Sequence, residues 1–102
     1  MSAEDFTGPA VNSPAARAAQ RAEFLDARLR MDGCDEATFS RAMLRVAELD
    51  GLGDVAMACG LSTEAMRRQL NGTRPLYFES VLQVTRVLGL QLRVEAIPAA
   101  LR

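Results

Sequence analysis

Residues 60–72 read GLSTEAMRRQLNG. Ser62 offers a side-chain cap, and Leu61, Ala65, Met66 and Leu70 recur at the spacing of one apolar helix face. Asn71-Gly72 supplies the stop. The residues left on the outer face are Thr63, Glu64, Arg67, Arg68 and Asn71, with two arginines side by side on a very short element. Just before this stretch, 54–59 predict another short helix, with Val55, Ala56 and Cys59 turned inward. Gly60 then provides the left-handed conformation that helix ends favour. Two short helices joined by a tight glycine turn form a helix-turn-helix. That motif needs a small residue at the close approach (Ala56), a glycine at the turn (Gly60) and apolar residues that lock the pair (Val55, Cys59, Leu61 and Met66). All of these fall within 55–66.

Amphipathic helices flank the motif on both sides. Ser13-Pro14 is a start signal, with serine capping and proline at the first helical position. Ala18, Ala22, Leu25 and Leu29 then follow at helical spacing, and the first helix is expected to end near Met31. A second begins at about Asp35, carries Phe39, Ala42, Met43 and Val46 inward, and is stopped by the glycines at 51 and 53. After the motif, a loop with Pro75 leads to a helix from about Tyr77 to Leu88, on which Phe78, Val81, Leu82, Thr85 and Leu88 share a face and which Gly89 ends. Residues 90–96, LQLRVEA, change period: apolar and polar residues alternate, as in a half-buried strand. No other segment reads as a strand, so this one is expected to pair with another chain through Leu90, Leu92 and Val94.

Domain boundaries follow from this reading. Residues 1–12 are expected to form a tail and 13–33 an N-terminal helix; 34–89 form the helix-turn-helix domain, 90–97 the pairing strand and 98–102 a short tail. The class is all-α, a bundle of about five helices with a C-terminal strand. At 102 residues the chain fits one compact domain. Aromatic residues make up 5% and tryptophan is absent, so the core must be aliphatic. A core of this size gains from a partner subunit.

The net charge is −1, but its distribution is uneven. Residues 1–61 hold ten acids and six arginines, whereas 62–102 hold three acids and six arginines. The change of sign begins at the quoted stretch and suits an anion-seeking end. Histidine is absent, and Cys34 and Cys59 lack CxxC spacing, so no metal site or cofactor is expected. With no phosphate-cradling glycine loop, and no cysteine with a base beside it, no catalytic residue and no enzyme is expected either. No apolar run approaches the length of a membrane span, and no secretory signal is visible, so the cytoplasm is the expected location.

If the fourth helix reads DNA, its N-terminal end approaches base edges in the major groove. Thr63 suits a thymine methyl or a phosphate, Glu64 a cytosine amine, and Arg67 the O6/N7 edge of guanine. Arg68, Asn71 and Arg74 are placed for phosphates. Adjacent arginines on an isolated amphipathic helix are ordinarily just a solvated face; the helix-turn-helix frame is what gives them an anionic partner. Cys59 reads as a small core residue and Cys34 as an inert thiol near a helix start. The 18–29 stripe serves either this domain's packing or a partner's docking.

Over about Leu25–Glu95, FSRAMLRVAELDGLGDVAMACGLSTEAMRRQLNG and YFESVLQVTRVLGLQLRVEA resemble the HigA-like addiction-module antidote proteins. These lie within the Xre/lambda-repressor-like helix-turn-helix group. The resemblance implies a DNA-binding antitoxin of a type II toxin–antitoxin module. Such a protein represses its own operon as a homodimer on an inverted repeat, and neutralises a RelE/ParE-like toxin. It implies base reading by Ser62, Thr63, Glu64, Arg67 and Arg68. Gly53-Asp54 departs from the Ser-Gln often found in that family, which removes one phosphate contact, and Gln69 replaces a small inward-packing residue. Two alternatives are a stand-alone or phage-type regulator without a toxin, and an interaction module that has lost DNA binding.

Overall fold

The computed structural model describes residues 13–101, and the expected tail at 1–12 lies outside them. Five α-helices follow in order: α1 (Pro14–Arg30), α2 (Glu36–Asp50), α3 (Leu52–Ala58), α4 (Thr63–Leu70) and α5 (Phe78–Val87). A 3-10 turn covers Ala99–Leu101. The fold is all-α.

The starts follow local chemistry. Ser13 Oγ accepts from Ala16 N–H at 3.1 Å, with Pro14 at the first helical position. Asp35 Oδ1 accepts from Thr38 N–H at 2.8 Å, and Ser62 Oγ from Ala65 N–H at 3.0 Å. Each bond satisfies one of the amide donors that a helix start leaves without an intrahelical partner. Backbone donation from Thr38, reinforced by its side chain, holds the Asp35 carboxyl below the usual carboxylate range.

The core is aliphatic, as the composition requires. Met43, Ala47, Leu70 and Leu88 are fully buried, with Val55, Ala56 and Met66 beside them. α2 is the central element, packing against α1, α3 and α4, while α3 also meets α4 and α5. Ser40 is fully buried, and its Oγ is without a hydrogen-bond partner among the described residues. A buried hydroxyl without a partner costs free energy on folding. Ser40→Ala is therefore expected to be neutral or to stabilise by about 1 kcal/mol, read as an unchanged or raised midpoint in urea.

Four expectations need correction. α3 begins at Leu52 rather than Asp54, because Gly51, at φ +112°, ends α2 and opens α3 in a single residue. Leu52, read as part of a stop, is buried in the core. On α1 only Leu25 of the expected stripe is buried; Ala18 is half-buried, and Ala22 and Leu29 are exposed. Arg21, Phe24 and Arg28 are half-buried and line a groove with Arg45, Val46 and Leu49 of α2, the arginines covering apolar surface with their stems. On α5, Phe78 is exposed and Val84 is buried. The inward positions are 81, 84, 85 and 88, a strip rotated from the expected one.

The fourth concerns the C-terminal strand. Among the described residues there is no strand, and 90–98 carry no regular structure. A strand exists only through a partner ladder, and the rest of the described chain is helix and turn. Leu90 stays half-buried, while Leu92 and Val94 are exposed.

Arg21 ties the bundle together. Its Nη1 donates to Leu88 O at 3.0 Å, and its Nη2 forms an ion pair with Asp50. One guanidinium thus joins α1 to the ends of α2 and α5. Its side chain is 16% exposed and that of Asp50 is 26% exposed, so solvent screens this pair less than a surface pair.

Candidate nucleic-acid interface

The turn between α3 and α4 is built as the sequence suggests. Leu61 N–H donates to Ala56 O at 2.8 Å and Gly60 N–H to Met57 O at 3.0 Å. These bonds use the last carbonyls of α3 and require the positive φ of Gly60, +75°. Cys59 and Leu61 are half-buried against the core. Partial burial pushes the Cys59 thiol up, away from the reactive thiolate. The start of α3 lies close to the start of α4: a Cβ at Gly53 would sit 3.7 Å from Thr63 Oγ1.

Ser62, Thr63, Glu64, Arg67 and Arg68 are all exposed, while Met66 and Leu70 on the opposite side of α4 are buried. Thr63, Glu64, Arg67 and Arg68 thus stand on the open side of α4, while the Ser62 hydroxyl is engaged as the helix cap. Arg67 Nη2 lies 3.9 Å from Glu48 Oε2, and Arg68 Nη1 lies 3.8 Å from Glu64 Oε1. Both arginine side chains are about half exposed. Such loose surface pairs contribute little to stability, about 0–1 kcal/mol. Their geometry leaves guanidinium donors open to an incoming anion.

Asn71 and Arg74 are placed differently. Asn71 is half-buried, and its Oδ1 accepts from Thr73 N–H at 2.9 Å and from Thr73 Oγ1 at 2.6 Å. Its carbonyl thus shapes the turn after α4, and its amide NH2 is the end that suits a phosphate. Arg74 is exposed and shares a shallow depression with Arg68, Gln69 and Tyr77. Tyr77 is a residue the sequence reading missed, having counted it only as a helix start. Two guanidinium groups and a phenol around one depression offer donors in the manner phosphate recognition uses. The only sequence signal was its position two residues after Pro75.

The loop beyond α4 is fastened to the bundle. Leu76 N–H donates to Glu36 Oε2 at 2.7 Å, anchoring it to the first turn of α2. Gly72, at φ +89°, lies against α2: a Cβ there would come within 2.6 Å of Arg41 Nη1 and 3.2 Å of Ala37 O. Gln69, which stands where the resemblance implies a small inward-packing residue, donates from Nε2 to Ser80 Oγ and links α4 to α5.

Asp54 is exposed in the first turn of α3, one residue from the glycine that borders Thr63. An acid suits a helix start but opposes a nearby phosphate. If this face binds DNA, Asp54→Gln is expected to strengthen binding to any duplex by up to about fivefold, since one exposed charge interaction is worth roughly 1 kcal/mol. Parallel titrations of the upstream DNA and a scrambled duplex would then show both rising together.

Among the described residues no group of three or more Cys, Asp or Glu side chains is arranged to hold a metal ion. Among the described residues no helix is long and apolar enough to cross a membrane. In comparisons with known proteins, the chain matches no family model, no curated protein and no solved structure.

Proposed function

We propose that this protein is a DNA-binding transcriptional repressor that uses α4 as its reading helix. One observation carries the reading: an exposed face of Ser62, Thr63, Glu64, Arg67 and Arg68 stands on a short helix whose opposite side is locked into the core. Rigid presentation of a few polar side chains is what base readout in the major groove requires. Arg67 forks onto a guanine edge, Thr63 and Glu64 read neighbouring positions, and Arg68, Asn71 and Arg74 bind phosphates. Tyr77 joins the phosphate group beside Arg68 and Arg74.

The protein works as a homodimer on an inverted repeat, in the cytoplasm. Pairing through 90–97, with Leu90, Leu92 and Val94 at the interface, sets the half-site spacing near one turn of DNA, roughly 34–36 Å. The resemblance to HigA-like antidote proteins supports autoregulation of a toxin–antitoxin operon, with a RelE/ParE-like toxin as the second partner. Footprinting of the DNA upstream of the gene tests this. The expected result is two protected half-sites about 10 bp apart centre to centre. Uniform or absent protection refutes it.

A second reading has its own observation. Glu48 and Glu64 lie beside Arg67 and Arg68, and Asp54 adds a further acid near the same edge. That mixture of charge suits a protein-interaction module that has lost DNA binding. Under this reading the protein binds no operator, and alanine at both arginines leaves its function intact.

A further inference from the structure

The segment after α5 carries chemistry that the bundle leaves unused. Leu90, Leu92, Val94 and Ala96 alternate with Gln91, Arg93 and Glu95. Val94 is 99% exposed, and Leu92 and Ile97 are also at the surface. Leu90 N–H donates to Thr85 O at 2.8 Å, and no ladder follows among the described residues. Backbone of this kind takes up another strand readily.

We infer that its occupant is the same segment of a second copy, paired antiparallel about a two-fold axis through Val94. The inference deepens the dimeric part of the proposed function and does not depend on DNA binding.

Charge complementarity selects both the occupant and the register. Residues directly opposite each other in an antiparallel pair lie on the same face. With Val94 opposite its own copy, Arg93 stands opposite Glu95 of the partner subunit, and Glu95 opposite Arg93 of the partner subunit. Leu92 then meets Ala96 on the apolar face, and Gln91 meets Ile97 on the other. Registers centred on the neighbouring residues keep an apolar face but lose the Arg93–Glu95 pairing. An axis at Arg93 sets two guanidinium groups against each other, and an axis at Glu95 sets two carboxylates together. An axis at Leu92 leaves Arg93 opposite Gln91. An axis between two residues pairs apolar positions with polar ones, which the side-chain period of two penalises.

The ends of the segment support the same register independently. Centred on Val94, Leu90 falls opposite Pro98. Leu90 N–H is already committed to Thr85 O, and proline has no N–H to give. Both donors are absent from the same terminal pair, so the ladder closes itself there. The groove lined by Leu25, Leu29, Phe39, Leu90 and Leu92 runs beside the segment and offers apolar surface next to the new strand.

Sedimentation equilibrium of the full chain without DNA tests this, using Arg93→Glu, Glu95→Arg and the double variant. The wild type is expected to dimerise. Each single change places like charges opposite each other twice per dimer and should weaken association by about tenfold or more. The double variant exchanges the two charges across the axis and should regain wild-type association. A double variant as weak as either single one would overturn the register. A wild type that stays monomeric at every concentration would overturn self-pairing, and a parallel DNA titration would show whether the reading helix still works alone.

Discussion

Replacing Arg67 and Arg68 together by alanine is expected to remove sequence-dependent DNA binding and leave the fold intact. A bidentate arginine on guanine is worth about 1–3 kcal/mol of discrimination. Arg68 adds a phosphate contact whose loss lowers affinity for every sequence. Together the changes should weaken specific binding by about 10²- to 10⁴-fold per site. Stability should move by less than about 1 kcal/mol, because both side chains are half exposed and their ion pairs are loose. Arg67→Lys separates the roles: it keeps the charge and loses the planar fork, so specificity should fall more than general affinity. Anisotropy titrations beside thermal unfolding of the same preparations would read both quantities.

Leu70→Ala is expected to have the largest effect on stability. Leu70 closes α4 and is fully buried in the core. Truncating such a residue removes about 2–5 kcal/mol. Small domains are stable by only about 5–15 kcal/mol, so the urea midpoint should fall steeply with little change in slope. DNA binding should weaken as well, although no outward residue has changed, because α4 is held rigid by the side it buries. Lowering the temperature should restore part of that binding in Leu70→Ala and none in the arginine variant. This contrast separates loss of presentation from loss of contact.

Features set by a few adjacent residues were legible in the sequence. Ser13, Asp35 and Ser62 cap the helices expected of them, and Gly51, Gly60, Gly72 and Gly89 adopt positive φ at the stops. On α2 and α4 helical spacing made the burial of Ala42, Met43, Val46, Met66 and Leu70 readable, whereas Phe39, Leu61 and Ala65 are half-buried and the buried Ser40 and Ala47 were not expected. Of the outward set on α4, Thr63, Glu64, Arg67 and Arg68 are exposed and Asn71 is half-buried.

What escaped depends on partners distant in sequence. The face of α1 was misjudged because Ala22 and Leu29 obey the period as well as Leu25 does. Arg21 reaches Leu88 and Asp50 from a neighbouring strip, and no local pattern encodes that contact. Gln69 looked like a misfit until Ser80, eleven residues away, supplied its partner. Tyr77 enters the site only because the loop tethered by Glu36 brings it beside Arg68 and Arg74. The alternation at 90–96 was readable as a pattern, but a strand requires a second strand, and the described chain offers none.

The central claim is that α4 reads DNA, and one measurement addresses it most directly. Fluorescence-anisotropy titration of the DNA immediately upstream of the gene, against a scrambled duplex at near-physiological salt, compares specific with general binding. The account predicts tight binding to the upstream DNA, weaker by about 10³-fold or more on the scrambled duplex and lost in the Arg67→Ala/Arg68→Ala variant. Equal, weak binding to both duplexes that disappears as salt rises and ignores the two arginines would reflect counter-ion release alone and would contradict it.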